Sequence, residues 1–425
     1  MVVRTYWLDY MDAQADTNMS SLYPDGNFSD AEYDAYMHYM CANQWTSYPE
    51  YVAARSLETF LYPFLLLLAT IGNVLSLLAF RHLVATTWST CFYLHVLCVV
   101  DLVVLYIKCG GTWYRKVADS DLSERIMRFS DAMCKTYIFV FNVLLQLWPW
   151  LTVALCVELT IATRCPLKTY VMCTWERARA ILLLITILLV CLNLNFFWTW
   201  GKIDSGGCIY IEEFSTEFMN VIWPSIVMGV EHVLPLLAAT VCFFVTTISL
   251  LRSSRAQVSR YERVLQNYFL DLQALQQLKH AALVVVLLFL VVKTFTVSYE
   301  ILNFLDIRGV LRVPCQQLGH FMAKKYLLSV LRDTVLYCYL SLKFCVYFGF
   351  CASFRKQCYA HARRILCVCK KSKYAVGGES NRRLLSGNDK FSRSNEVATG
   401  NDGVVRLCAT SSLITQDATP ITTKV

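Results

Sequence analysis

The sequence predicts an all-α membrane protein, a bundle of seven transmembrane helices. Of its 425 residues, 56% are hydrophobic and 16% are charged, whereas soluble domains run at about 45–50% and about 25%. Seven separate stretches are long and apolar enough to cross about 30 Å of hydrocarbon, which takes about 20 helical residues. Lysine and arginine gather in alternate connecting segments, as in multi-pass proteins. This composition excludes a disordered, coiled-coil, collagen-like or ordinary cytosolic protein.

The predicted spans divide the chain into four parts. The spans are Leu57–Arg81, Cys91–Trp113, Asp131–Thr163, Ala178–Trp200, Phe218–Leu251, Ala281–Leu305 and Tyr326–Cys351. Residues 1–56 form an extracellular N-terminal segment, residues 57–351 hold the spans, and residues 352–376 form a juxtamembrane amphipathic helix and basic segment. Residues 377–425 are polar, which predicts a disordered cytoplasmic tail. Since no apolar signal segment precedes span one, we expect that span to act as the insertion signal.

The charge distribution predicts the orientation of the spans. Residues 1–56 hold eight acidic and two basic side chains, and residues 351–425 hold thirteen basic and five acidic ones. The segments after spans one, three and five are also basic, so we expect the N-terminus outside and the C-terminus in the cytoplasm. A basic tail in this place faces anionic lipid rather than nucleic acid. The sequons at Asn18 and Asn27 would then be exposed for glycosylation.

Most of the nineteen cysteines lie inside spans, where a thiol packs as a small hydrophobic group. Cys41, Cys134, Cys208 and Cys315 are the clear exceptions, at the predicted outer face. Four cysteines allow three pairings, and the sequence alone leaves the choice open. Near the tail, basic residues flank three further cysteines. Because an acyl chain and a polybasic patch together anchor a segment stably, this pattern predicts palmitoylation at Cys358, Cys367 or Cys369.

Several ordered motifs resemble those of the rhodopsin-like (class A) G-protein-coupled receptors. Gly72–Val74, which holds Asn73, is similar to the GNxxV element of span one in that family. Leu94–Leu102, which holds Asp101, is similar to the LAxxD element of span two, and span seven ends with Tyr347 before a short amphipathic helix. The resemblance covers about residues 57–357. It implies a plasma-membrane receptor that signals to a heterotrimeric G protein, and within the family the chain resembles divergent peptide receptors of the invertebrate type.

The resemblance also implies particular bonds and partners. A cysteine at the head of span three and another in the next outer loop imply a Cys134–Cys208 disulfide, which leaves Cys41 and Cys315 to tie the N-terminal segment to the loop before span seven. Hydroxyl residues of the tail would take phosphate and be recognised by an arrestin. The last residues, Thr423–Val425, fit a PDZ-domain ligand.

The motifs by which receptors of this family change between inactive and active states match this sequence less well. At the end of span three, Glu158 keeps the acid of the family motif, but Leu159 replaces its arginine. Span six lacks the family's tryptophan and proline at Val292–Phe295. In span seven, Lys343 replaces the asparagine of the motif that ends at Tyr347.

Ionisable groups inside spans are functional candidates, because each costs about 2.5–3.5 kcal/mol to insert. The resemblance implies a sodium site at Asp101. Lys343 would supply the missing countercharge directly, so we expect an Asp101–Lys343 ion pair in place of sodium. The alternative is that Lys343 snorkels to the cytoplasmic edge of the membrane.

A second set of charges predicts the ligand pocket. Glu231 and Lys293 lie deep in their spans and either pair with each other or contact ligand, and Glu300 lies higher. Arg332 and Asp333 are adjacent, point in different directions on a helix and need not neutralise each other. A cavity with both signs suits a charged peptide better than a lipid or steroid. In the alternative, these charges are solvated at the span ends.

Two negative findings narrow the class of ligand. Phe141 stands where aminergic receptors carry an aspartate, and Tyr337 stands where opsins carry the retinal lysine. An amine receptor or a photoreceptor is therefore disfavoured, and Phe141 is counted with the peptide pocket.

No catalytic, metal-binding or cofactor-binding motif is present in the sequence, so we do not expect an enzyme. Two other membrane functions remain open. The loss of arginine at Leu159 favours a non-signalling scavenger or atypical receptor. The intramembrane charges would suit a transporter or channel, although no inverted repeat is evident.

Overall fold

The computed structural model describes residues 44–84, 89–118, 120–202, 208–211, 218–252, 272–307, 310–311 and 313–363. About 92% of these residues are helical. The chain divides into two units, Met1–Ile365 and Leu366–Val425. All of the described residues belong to the first unit.

Seven long helices and one short one dominate the described part. They are α1 Pro49–Arg81, α2 Ser89–Ala118, α3 Asp131–Arg164, α4 Trp175–Thr199, α5 Trp223–Arg252, α6 Leu272–Ile307, α7 Cys315–Phe350 and α8 Ala352–Arg363. The first six contain stretches long and apolar enough to cross a membrane, while α7 meets that standard only together with α8, from which it is bent by 105°. Five charged residues in α7 account for its lower hydropathy. These helices fit a multi-pass membrane protein.

Several helices begin earlier than the predicted spans do. Pro49 opens α1, so the end of the predicted segment 1–56 is helical. Proline suits this position because its fixed φ is helical and the first N–H groups of a helix have no intrahelical partner. The helices α6 and α7 likewise start before their predicted spans. Hydropathy marks only the apolar part of each helix, and the polar turns beyond it carry no such signal.

The helix α3 lies at the centre of the packing. It contacts α2, α4, α5 and α6, while α1 packs against α2 and α7, and α6 packs against α5 and α7. At Gly72 the helices α1 and α7 approach closely, since a Cβ atom there would lie 3.0 Å from Cβ of Phe344. Asn73 Nδ2 donates to the Leu340 carbonyl at 3.3 Å across the same contact. The Gly-Asn pair thus serves a close helix–helix contact.

The outward faces of α4 and α5 are apolar. Leu183 and Leu184 of α4 are 61% and 58% exposed, and Leu237 and Val241 of α5 are 57% and 62% exposed. Contiguous exposed apolar surface of this kind is rare on a soluble monomer. Lipid would cover it in a membrane.

A β-hairpin follows α4. Its strands, β1 Trp200–Lys202 and β2 Cys208–Tyr210, pair antiparallel with Gly201 opposite Ile209. The backbone N–H of Lys202 donates to Asp131 Oδ1 at 2.9 Å, which holds the hairpin against the start of α3. A Cβ atom at Gly201 would lie 2.8 Å from Cδ1 of Ile211, so the Ile211 side chain would have to shift to admit a larger residue.

Candidate functional site

Charged side chains from four helices line a cavity inside the bundle, and α3 contributes part of its floor. The cavity volume is about 40 Å³, enough for a few water molecules. Its charged lining residues are Lys108, Glu231, Lys293, Glu300, Arg332 and Asp333. They come from α2, α5, α6 and α7, and His232, Thr296 and Trp148 complete the polar lining. The predicted cavity with both signs of charge is therefore present, although it is small.

Two of the lining segments are single π-helical turns. Lys108 lies in the turn Tyr106–Gly110 of α2, and Glu231 and His232 lie in the turn Met228–Val233 of α5. Such turns are rare in helices and frequently occur at functional sites, because the extra residue redirects the neighbouring side chains.

Arg332 is the centre of a buried ion network. Its Nη1 donates to Glu300 Oε1 at 2.8 Å, and its Nε donates to Asp333 Oδ1 at 3.0 Å. The guanidinium also lies 4.5 Å from the ring centroid of Tyr299. The sequence left open whether Arg332 and Asp333 neutralise each other; in the structure they form an ion pair, because the long arginine side chain bends back to its neighbour. Arg332 is 3% exposed, which also excludes a solvated position at the end of the helix.

Lys293 lies deeper in the bundle, two turns of α6 before Glu300. Its ammonium donates to the Glu231 carbonyl at 3.0 Å and lies 3.4 Å from Nδ1 of His232. It also lies 5.3 Å from the ring centroid of Trp148. Lys293 thus contacts Glu231 through the backbone carbonyl and not through the carboxylate, so the predicted alternative in which the two charges pair is not what the structure shows.

The predicted Asp101–Lys343 ion pair is present below this cavity. The ammonium of Lys343 donates to Asp101 Oδ2, and Nε1 of Trp148 donates to Asp101 Oδ1 at 3.0 Å. Both charged side chains are buried, with Lys343 3% exposed. Lys343 thus does not snorkel to an end of its helix. One face of Trp148 contacts the lysine of the cavity and its indole nitrogen contacts the ion pair.

Phe141 does not line the cavity. Its ring stacks on Tyr137 of the same helix with centroids 6.2 Å apart. Phe141 lies two turns before Trp148 on α3, so it belongs to the part of the helix nearer the hairpin.

The remaining predicted switch residues are buried at the other end of the bundle. Thr90 of α2 donates to the Glu158 carboxylate. Leu159 is 2% exposed and packs in the core. The Tyr347 ring packs edge-on against Phe80, with centroids 5.1 Å apart. The acid of the family motif is therefore bound within the protein in this structure.

Cys134 and Cys208 form a disulfide that joins the first turn of α3 to β2. This confirms the pairing that the family resemblance implied. Cys358 lies in α8 and is buried, so its thiol must turn outward before it can be acylated. The other modification and disulfide predictions, at Cys41, Asn18, Asn27, Cys367 and Cys369, lie outside the described residues, as does the Cys315 side chain.

Three functional candidates were missed from the sequence. His232 follows Glu231 directly, but a lone histidine in an apolar span gives no further signal. Trp148 stands on α3, whereas the family resemblance places an aromatic switch in span six. Lys108 lies near the end of a predicted apolar span. The signal available for all three was the intramembrane polarity that identified the other residues.

The sequence matches no protein-family model and no curated protein. Among the described residues, no group of three or more His, Cys, Asp or Glu side chains could hold a metal ion.

Proposed function

We propose that this chain is a rhodopsin-like G-protein-coupled receptor of the plasma membrane, with seven transmembrane helices and its N-terminus outside. Its ligand is a peptide or another small charged molecule that binds in the cavity, and its cytoplasmic face couples to a heterotrimeric G protein. Ligand shifts the equilibrium between two arrangements of the helices by the difference between its affinities for them.

The observation that carries this proposal is the buried, charged cavity. Five helices meet there, and the two π-helical turns direct Lys108, Glu231 and His232 into it. Such buried charge is costly and marks a pathway or a binding site in membrane proteins. The disulfide supports the proposal further, since it ties the β-hairpin to α3, one wall of the same cavity.

In the proposed receptor, the ammonium of Lys343 takes the place of a bound sodium ion at Asp101. In the family, the aspartate of span two binds sodium; here the ammonium of Lys343 contacts Asp101 directly. A second cation next to Lys343 would be repelled. We therefore expect the protein to function without sodium.

Sodium provides a direct test. The melting temperature of the wild type is expected to be equal in sodium chloride and choline chloride of the same concentration. A Lys343→Asn variant, which frees Asp101 and restores the amide of the family, is expected to melt higher in sodium than in choline. Thermal unfolding of the purified protein measures both. A wild type that sodium stabilises would contradict replacement of the ion by Lys343.

A second candidate is a receptor that binds ligand without coupling to a G protein. The specific observation in its favour is that Leu159 is buried in the core, where the family carries an arginine. The neighbouring Glu158 accepts a hydrogen bond from Thr90. The inner end of α3 therefore presents no cation from this motif to a partner.

Restoring the arginine separates the two candidates. We expect Leu159→Arg to raise basal G-protein signalling, about tenfold for each 1.4 kcal/mol by which the arginine favours the coupled state. Calcium and cyclic-nucleotide signals should be recorded at matched surface amounts, with Leu159→Met as the apolar control. If neither the wild type nor Leu159→Arg gives a signal, the non-signalling receptor is favoured.

A further inference from the structure

Lys293 is a buried cation whose nearest partners are neutral. It is 2% exposed, and its ammonium contacts a carbonyl oxygen, an imidazole nitrogen and the face of an indole ring. Among the described residues, no carboxylate oxygen lies within the 4.0 Å of an ion pair with this ammonium. A buried ammonium normally has a carboxylate partner, because burying an unpaired charge is costly.

Three carboxylates near the cavity are bound to other cations. Glu300 and Asp333 both bind Arg332, at 2.8 and 2.9 Å. Asp101 binds Lys343 on the other side of Trp148. The Glu231 carboxylate lies 3.9 Å from Nε2 of His232. Arg332 and Lys343 thus have carboxylate partners, whereas in the described part of the chain the ammonium of Lys293 has no carboxylate oxygen within 4.0 Å.

We propose that Lys293 binds a carboxylate of the ligand, and specifically the C-terminal carboxylate of a peptide. This inference rests on the proposed function, since it concerns the same cavity. A carboxylate at Lys293 would complete an ion pair in a site shielded from water, where charge-assisted hydrogen bonds are strongest.

The other lining residues favour a particular kind of peptide end, namely the side chain of the residue that carries the carboxylate. The volume of about 40 Å³ admits only a small group without rearrangement. Val104, Leu145 and Leu336 supply apolar lining beside Trp148. The carboxylate group suits the cation and the small volume, and an apolar last residue suits the apolar lining once the surrounding side chains rearrange, whereas a C-terminal amide brings no charge to the ammonium.

The experiment compares matched acids and amides on the full-length protein in lipid nanodiscs. The probe is a pool of N-acetylated tetrapeptides that end in Leu, Ile, Val or Phe, made once as free acids and once as C-terminal amides. The rise in melting temperature with pool concentration gives the apparent Kd. We expect the acids to bind at least about tenfold more tightly than the amides.

Two variants link that preference to Lys293. Lys293→Met removes the charge at similar length and is expected to abolish the preference for acids, whereas Lys293→Arg keeps it. The methionine variant is expected to melt no lower than the wild type, because it removes a buried cation without stranding a carboxylate. If it does not fold, Lys293→Gln takes its place.

Three results would overturn the inference: equal binding of acids and amides, acid binding that survives Lys293→Met, or no binding of either pool to the wild type. The proposed function has its own readout, because basal signalling of Leu159→Arg does not require a ligand. A signalling variant without acid preference would refute only the carboxylate site. Acid preference without any signal would refute only the coupling.

Discussion

Replacing Lys343 with Met is expected to lower the free energy of unfolding by about 3–5 kcal/mol, the usual result of removing one partner of a buried ion pair. The cause is Asp101, which is 0% exposed and would keep a carboxylate with only the Trp148 indole N–H as donor. Asp101→Asn should also destabilise the protein, because it leaves the buried ammonium of Lys343 without an anionic partner. Thermal and denaturant unfolding of the purified protein in detergent measures the change.

The double variant distinguishes charge pairing from packing. With Asp101→Asn and Lys343→Met together no unpaired charge is left, so most of the stability should return. Lys324→Met is the matched control, because Lys324 lies on the same helix and is exposed; it should stay within about 0.5 kcal/mol of the wild type. If Lys343→Met is as stable as Lys324→Met, Asp101 and Lys343 do not form an ion pair that stabilises the fold.

Cys134→Ser is expected to destabilise the protein by about 2–5 kcal/mol, the range for loss of a native disulfide. The bond closes a separation of 74 residues and holds the hairpin on α3, so its loss should also abolish ligand binding and delivery to the cell surface. Cys208→Ser should behave in the same way, and the double variant should be no worse than either. Surface labelling and thermal unfolding measure the two effects.

The matched control is Cys191→Ser, since Cys191 is an exposed cysteine of α4 outside any disulfide. It should reach the surface in the amount of the wild type. Normal surface delivery and stability of Cys134→Ser would show that the hairpin is held without the disulfide, through contacts such as that between Asp131 and Lys202.

The helices were predictable because lipid-crossing segments need about 20 apolar residues, a requirement that the sequence shows directly. What hydropathy could not show is where each helix ends. Pro49 begins α1 in a polar stretch, and α7 carries charges that lower its hydropathy although it is one continuous helix. The ends of these helices depend on polar contacts with neighbours, such as Glu50 with His320 at 2.8 Å, and those contacts are not visible in a local window.

The sequence predicts most of the residues that line the candidate site, but not which of them contact each other. Intramembrane charge identified most of the cavity lining, because such residues are rare. The pairing of Arg332 with its neighbour Asp333, and the contact of Lys293 with a carbonyl, depend on rotamers and on the π-helical turn of α5. The Asp101–Lys343 pair was predictable because Asp101 keeps the place of the family's sodium-binding aspartate, and Lys343 stands where the motif that ends at Tyr347 carries an asparagine.

Trp148 contacts both charged sites inside the bundle, the cavity with Lys293 and the Asp101–Lys343 ion pair. The same indole ring faces the ammonium of Lys293 and donates its N–H to Asp101. A movement of the ring therefore changes the contacts of both the cavity and the Asp101–Lys343 pair. If a ligand bound next to Lys293 alters the strength of the Asp101–Lys343 pair, thermodynamic reciprocity requires that weakening the pair alter the affinity for that ligand by the same factor. In this chain the tryptophan that joins the two sites lies on the third helix, and the sixth helix carries Lys293 beside it.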